Sequence, residues 1–195
     1  MISFGTNAKH MEATRDTRRR APAWSPAATT ENLVFAIGTC SLGTLMVARH
    51  GGGICAILLG DSRADVLDDL QQRFPDAAMI EGDRQATRLL HKVVALVESP
   101  RTAVELPLDM RGTPFQQRVW QALRDIPVGS TTTYADIARR IGDPRAARAV
   151  AQACAANRLA IVIPCHRVVR SDGSLSGYRW GVERKRMLLQ REARA

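Results

Sequence analysis

Apolar residues along this chain come first in short runs and then at helical spacing. Leu33-Val34-Phe35-Ala36-Ile37 is a run of strand length, and residues 43–48 and 54–59 are two more. Gly51-Gly52-Gly53 separates the last two with the residues a hairpin turn needs. The spacing then lengthens. Val66, Leu67 and Leu70 fall on one side of a helix predicted over residues 63–74, which Pro75 ends. Leu89, Leu90, Val93, Val94 and Val97 line a second, predicted over residues 84–98. Residues 31–107 therefore read as a small mixed unit, and residues 107–112 as a seam.

Thr113-Pro114 opens the second half as an N-cap followed by proline at the first helical position. Phe115, Val119, Ala122, Leu123 and Ile126 follow at helical spacing until Pro127-Val128-Gly129. Tyr134, Ile137, Ala138 and Ile141 recur at i, i+3, i+4 and i+7, so residues 133–141 are predicted as a short helix capped by Gly142. Asp143-Pro144 restarts a helix over residues 145–156, with Asp143 as N-cap. Two helices across a tight glycine turn follow the helix-turn-helix plan, which also serves proteins that never touch DNA.

In that second helix Ala149, Val150, Ala153 and Cys154 are expected in the core, with Ala146, Ala147, Arg148 and Ala151 outward. So flat a surface lets a helix approach closely, and it lacks the side chains that read major-groove edges. The pattern points to sequence-independent docking in a minor groove, with Arg148 as the protruding cation. Asn157 ends the helix. Residues 160–163 are predicted as a short buried strand delivering Pro164 and Cys165. Residues 171–173 are a turn and 177–181 a glycine-flanked loop. A last helix spans residues 182–193, with Val182, Leu188 and Leu189 inward and Glu192 near its end.

Charge sharpens this picture. The 195 residues carry a formal net charge of +9, and residues 108–195 alone hold sixteen basic against seven acidic side chains, fifteen of the sixteen being arginine. Forked guanidinium donors suit phosphate, although basic surfaces also meet RNA, acidic proteins or membranes. Residues 1–30 are basic and aperiodic and read as a disordered tail. No apolar run approaches the length of a membrane span, and the first residues do not resemble a secretory signal. Cys40, Cys55, Cys154 and Cys165 have no metal-site or disulfide-framework spacing, so a reducing cytoplasm is expected and no metal is. His50 and His91 read as surface or packing residues.

Ile163-Pro164-Cys165-His166-Arg167-Val168-Val169 sets a thiol beside an imidazole. Cysteine is the side chain best able to attack a carbon electrophile near neutral pH, once a neighbour raises its thiolate fraction. The pair alone also fits simple packing, a regulator with a buried cysteine, or a cysteine hydrolase.

With Tyr134, Arg148 and Asn157 upstream and Glu192 downstream, the stretch Pro164-Cys165-His166-Arg167-Val168 resembles the O6-alkylguanine-DNA alkyltransferases, the methylated-DNA–protein-cysteine methyltransferases. Residues 53–60 and 176–182 are similar to the C-terminal half of the bacterial adaptive-response members. The resemblance covers residues 31–195. It implies an α+β fold: a small N-terminal α/β, ribonuclease H-like domain with an antiparallel sheet over residues 31–107, and a mainly helical, winged-helix-like domain with the helix-turn-helix over residues 108–195.

The resemblance also implies a repair reaction of one turnover. The O6-methyl group of guanine in duplex DNA passes irreversibly to Cys165 after the nucleotide is flipped out, and O4-methylthymine is admitted as a second substrate. His166, acting through a water and oriented by Glu192, draws the thiol proton. Tyr134 stabilises the leaving base, Arg148 enters the duplex in its place, and Asn157 braces the turn before the active site. Ala146, Ala147, Ala151 and Ser171 belong to the DNA-facing side. Val168, Trp180 and Ala160 line the pocket, with the main-chain carbonyls of Cys165 and Val168 toward the exocyclic amine. The indole of Trp180 is expected to narrow the pocket mouth and favour methyl over benzyl adducts. No cofactor is needed, the partner is lesion-bearing double-stranded DNA, and a monomer is expected. The cysteine-rich zinc module of the adaptive-response members has no counterpart here, so neither phosphotriester repair nor a transcriptional switch is expected.

Overall fold

The computed structural model describes residues 32–195, so the segment read as a disordered tail lies outside the described residues. β1 (Asn32–Cys40), β2 (Gly43–His50) and β3 (Gly53–Gly60) form an antiparallel meander, turned between β2 and β3 at Gly51 and Gly52. Leu45, Met46, Val47 and Ala48 are all buried, as are residues 54–60. Runs without alternation are what strands covered on both faces require. α1 (Arg63–Arg73) and α2 (Arg84–Glu98) pack on this sheet, each started by a capping side chain, Ser62 and Asp83. Leu89, Leu90, Val93 and Val97 of α2 are buried as expected, each large aliphatic side chain contributing ~1.5–3 kcal/mol by leaving water.

β4 (Ala78–Glu81) completes the sheet in the order β3-β2-β1-β4 and runs parallel to β1. It was not expected. Its residues are mostly exposed, Ile80 at 46%, so the strand is held by main-chain pairing and leaves no hydrophobic signal. The opposite edge is used twice. The Ile54 amide donates to Pro107 O at 2.7 Å, and the Ile57 amide donates to Arg158 O at 2.8 Å. These rungs cover the open edge of β3 and fix the approach to Cys165 against the sheet.

The helical half consists of α3 (Pro114–Arg124), α4 (Tyr134–Arg140), α5 (Ala147–Ala155) and α6 (Val182–Arg194). Thr113 and Thr133 close capping boxes with Gln116 and Asp136, and Gly142 takes the left-handed conformation that ends α4. β5 (Thr132–Thr133) and β6 (Val168–Val169) form a two-residue parallel pair, too short to leave a pattern. One continuous apolar core runs from the sheet into these helices. The α+β class is borne out, and among the described residues no helix is long and apolar enough to cross a membrane.

Four local expectations fail. α5 begins at Ala147 rather than residue 145, and Asp143 serves the turn before it through its main-chain carbonyl, not as a side-chain cap. Ala146 is consequently buried in that turn instead of facing outward. Residues 160–163 are a turn, not a strand, with Ile161 at φ +72°. Only one rung, at Leu159, pairs with β3 before the chain bends away. Val182 is exposed, because the inward stripe of α6 is Lys185, Leu188 and Glu192. Two of those three are charged, so an apolar count misreads the helix phase.

Candidate active site

Asn157 organises the loop that carries the thiol. It is fully buried; its Oδ1 accepts from the Leu159 amide at 2.8 Å, and its Nδ2 donates to Ile163 O at 2.9 Å and lies 3.3 Å from Cys165 Sγ. One amide group therefore spans residues 157–165 and touches the sulfur at their end. The positive φ of Ile161, costly for a β-branched residue by ~1–3 kcal/mol, is held inside this clamp. Cys165 then opens a single 3-10 turn, Cys165–Arg167. Burial pushes its thiol up, against the lowering influence of Asn157 and the Lys185 charge, so the resting sulfur is protonated.

Consecutive side chains in such a turn point apart, and Cys165 and His166 make no direct hydrogen bond: His166 Nδ1 is buried without a protein partner. His166 Nε2 meets Glu192 Oε1 at 2.7 Å, and Arg167 donates to both Glu192 oxygens at 3.0 Å and to Ile126 O at 2.6 Å. A carboxylate only accepts, so Nε2 carries the imidazole proton and Nδ1 is left as a base. Burial pushes the imidazole down, against the raising influence of Glu192. Burial alone would raise the Glu192 carboxyl, but the hydrogen bonds from His166 and Arg167 outweigh it and hold it down to about 2. The site thus pairs a neutral base with a fixed anion behind it.

Both shifts destabilise the fold in acid. His166 has a folded pKa below its ordinary 6.5, so as pH falls the unfolded chain takes up that proton first and stability is lost downward from there. Glu192, with an ordinary value of 4.5 depressed to about 2, adds a stabilisation that is full above 4.5 and is lost as pH falls toward 2. Urea unfolding in a pH series is expected to give a steady decline from neutrality through pH 4; a stability maximum near pH 5 would contradict the network.

A second polar group flanks the sulfur. Lys185, fully buried on α6, donates from Nζ to Val168 O at 2.5 Å and to Ser176 Oγ at 2.9 Å, and Ser176 Oγ lies 2.7 Å from Tyr134 Oη at the start of α4. Arg167, Ser176 and Lys185 were all missed by the sequence reading. The one signal for Lys185 was its place in the stripe with Leu188. Val168 O and Cys165 O each already accept a bond within the protein, the latter from the Val168 amide; a carbonyl retains a second lone pair.

The remaining candidates fall in three places. Arg148 is exposed on α5, with Ala147 and Ala151 half-buried beside it, and Ser171 is exposed in its turn. Val168 and Ala160 are fully buried. Trp180 is not at a pocket rim. Its indole is 5% exposed, meets Tyr178 edge-on at 5.2 Å, and lies beneath the Arg73 guanidinium at 6.0 Å. It lines a cleft with Asp61, Asp65, Asp69, Arg179 and Arg184, so its bulk carries no argument about adduct size.

Residues 114–194 match the family model described as the 6-O-methylguanine DNA methyltransferase, DNA binding domain. The chain is 56% identical over 165 residues to the bifunctional transcriptional activator/DNA repair enzyme Ada of Escherichia coli, covering 84% of this chain and 47% of that protein. It is 42% identical to the inducible methylated-DNA–protein-cysteine methyltransferase of Bacillus subtilis, covering 64% of this chain and 70% of that one. Among solved structures, the Mycobacterium tuberculosis OGT in complex with DNA aligns with a TM-score of 0.68 at 36% identity, covering 83% of this chain and 93% of that one. The chain spans about half the length of the first curated relatives it matches.

Proposed function

The chain belongs to the methylated-DNA–protein-cysteine methyltransferase family, and from that premise we propose that it repairs O6-methylguanine in duplex DNA by moving the methyl group to Cys165, once per molecule. The observation that carries this reading is the buried Cys165 with Asn157 on its sulfur and the His166–Glu192 pair beside it. Sγ attacks the methyl carbon; the S–C bond forms as the C–O6 bond breaks, and that electron pair stays with the guanine. The thiol proton passes through a bridging water to His166 Nδ1, whose new charge Glu192 balances. Tyr134 donates to the departing base. The resulting thioether has no good leaving group, so the protein stops after one transfer. None of these steps calls for a cofactor or a metal.

The target atom lies inside the base stack, so the nucleotide must be everted at a cost of a few kcal/mol. The flat face of α5, with Ala147 and Ala151 beside the exposed Arg148, fits a minor groove approached without sequence preference, and Arg148 fills the space the base leaves. The protein acts as a monomer, in two domains that meet at residues 107–112. Arg148→Ala is expected to change affinity for undamaged duplex by about threefold or less, as one phosphate-range cation would. Transfer from paired O6-methylguanine should slow by about ten- to a hundredfold, with a smaller loss on single strands. Equal losses on both substrates would remove Arg148 from the flipping step. The reading as a whole is tested by mass spectrometry of the Cys165 peptide after incubation with O6-methylguanine duplex: a methyl on that sulfur supports it, and an unmodified peptide overturns it.

A further inference from the structure

We infer that Ser176 is a positioning residue for this transfer: Lys185 fixes the direction of the Ser176 hydroxyl so that it donates to Tyr134 Oη and leaves the phenolic proton of Tyr134 for the purine. The inference rests on the functional reading above and follows from a count of donors and acceptors. Lys185 Nζ is donor-only and lies 2.9 Å from Ser176 Oγ, so Ser176 accepts there. Its single proton then has two acceptors in reach, Tyr134 Oη at 2.7 Å and Val168 O at 3.4 Å. Val168 O already takes a charge-assisted bond from Lys185 at 2.5 Å, and 3.4 Å is a poor distance for a hydroxyl donor. The proton therefore goes to Tyr134 Oη, which accepts, and the phenol's own O–H is free to turn outward.

This polarity suits the leaving group. When the methyl group departs, the C–O6 electron pair goes to the guanine, and Tyr134 passes its hydrogen bond or its proton to a purine ring nitrogen. Any phenolate that forms already faces the Ser176 hydroxyl, with the buried Lys185 ammonium behind it. No other proton source is required. Had the serine pointed the other way, Tyr134 would have spent its proton on Ser176. Burial raises the Tyr134 phenol and the Ser176 bond lowers it.

The chain has two tyrosines, Tyr134 and Tyr178, so ring-labelled tyrosine gives two carbon NMR signals that the Tyr134→Phe variant assigns. Ser176→Ala is expected to move the Tyr134 titration to higher pH. It should also slow single-turnover methyl transfer from O6-methylguanine duplex about tenfold, but by less than about twofold when Tyr134 is already phenylalanine. Ser176→Gly, which introduces no new methyl group, should give the same pair of results. Equal slowing in both backgrounds, or an unmoved Tyr134 titration in a folded variant, overturns the inference while leaving the functional reading intact. A wild type that takes no methyl overturns that reading, and the role in transfer with it; the titration needs no DNA and separates the two failures.

Discussion

Serine at position 165 is expected to give a protein that binds O6-methylguanine duplex within about twofold of wild type and accepts no detectable methyl group. The substitution is nearly isosteric and preserves a partner for Asn157 Nδ2, which lies 3.3 Å from the sulfur. What changes is the nucleophile. A thiol whose pKa burial has raised is still within reach of a neutral imidazole acting through one water, whereas an alkyl alcohol is far less acidic and its oxygen a harder, more strongly solvated nucleophile. The expected loss in transfer is at least about a thousandfold. Gel-shift affinity measured beside label transfer separates lost chemistry from lost docking; a serine variant that still takes up methyl would show that the acceptor is another side chain.

Glu192→Gln is expected to have the second largest effect, on both rate and stability. In the wild type the carboxylate accepts from His166 Nε2 and from two Arg167 nitrogens in a buried setting, its own side chain 3% exposed and that of Arg167 11%. Glutamine offers one oxygen and an N–H₂. If the oxygen stays with Arg167, the amide nitrogen faces His166 Nε2 and drives the imidazole proton to Nδ1, the position that has to receive the thiol proton. Transfer should slow by about a hundredfold or more, as general-base contributions of that size imply. The Arg167 charge would be left in a buried site without its anion, a loss of about 3–5 kcal/mol in unfolding free energy, with the acid-labile part of the stability removed as well. Stopped transfer with unchanged stability would mean that Arg167 is satisfied elsewhere.

These expectations draw on parts of the molecule that differed in how far the sequence revealed them. α2 was legible to its ends because Leu89, Leu90, Val93 and Val97 repeat on one face; the Asp83 cap that starts it is seen only in the fold. Arg84–Glu98 is the span read from the pattern. α4 was legible for the same reason, to within one residue at each end, with Gly142 after it. The strands β4 and β5 were not, since pairing through the main chain holds them and their side chains carry no rhythm. The approach to Cys165 was misread as a strand. An apolar run of four residues is ambiguous by periodicity, and what bends it is a single buried amide, Asn157, whose reach across Leu159 and Ile163 is a tertiary fact.

The site residues divide in the same way. Cys165 and His166 stand out as an adjacent pair, but Glu192 is 26 positions away and became a candidate through family resemblance alone; α6 brings it to 2.7 Å from the imidazole. Lys185 left only its place in the stripe with Leu188, and Ser176, just before the glycine-flanked loop, left no signal; both are ordinary until folding sets the serine hydroxyl between the lysine and Tyr134. Trp180 shows the converse error, in which a large side chain near the motif was given a role and the fold turned it into the seam with α1.

The central claim is a count of methyl groups. Wild-type protein mixed with an excess of duplex carrying labelled O6-methylguanine should take up label quickly and stop at one methyl per molecule, all of it on the sulfur of Cys165. Restored guanine should appear in equal amount. Guanine that keeps accumulating beyond the number of protein molecules, or label that settles on any other residue, would contradict the account.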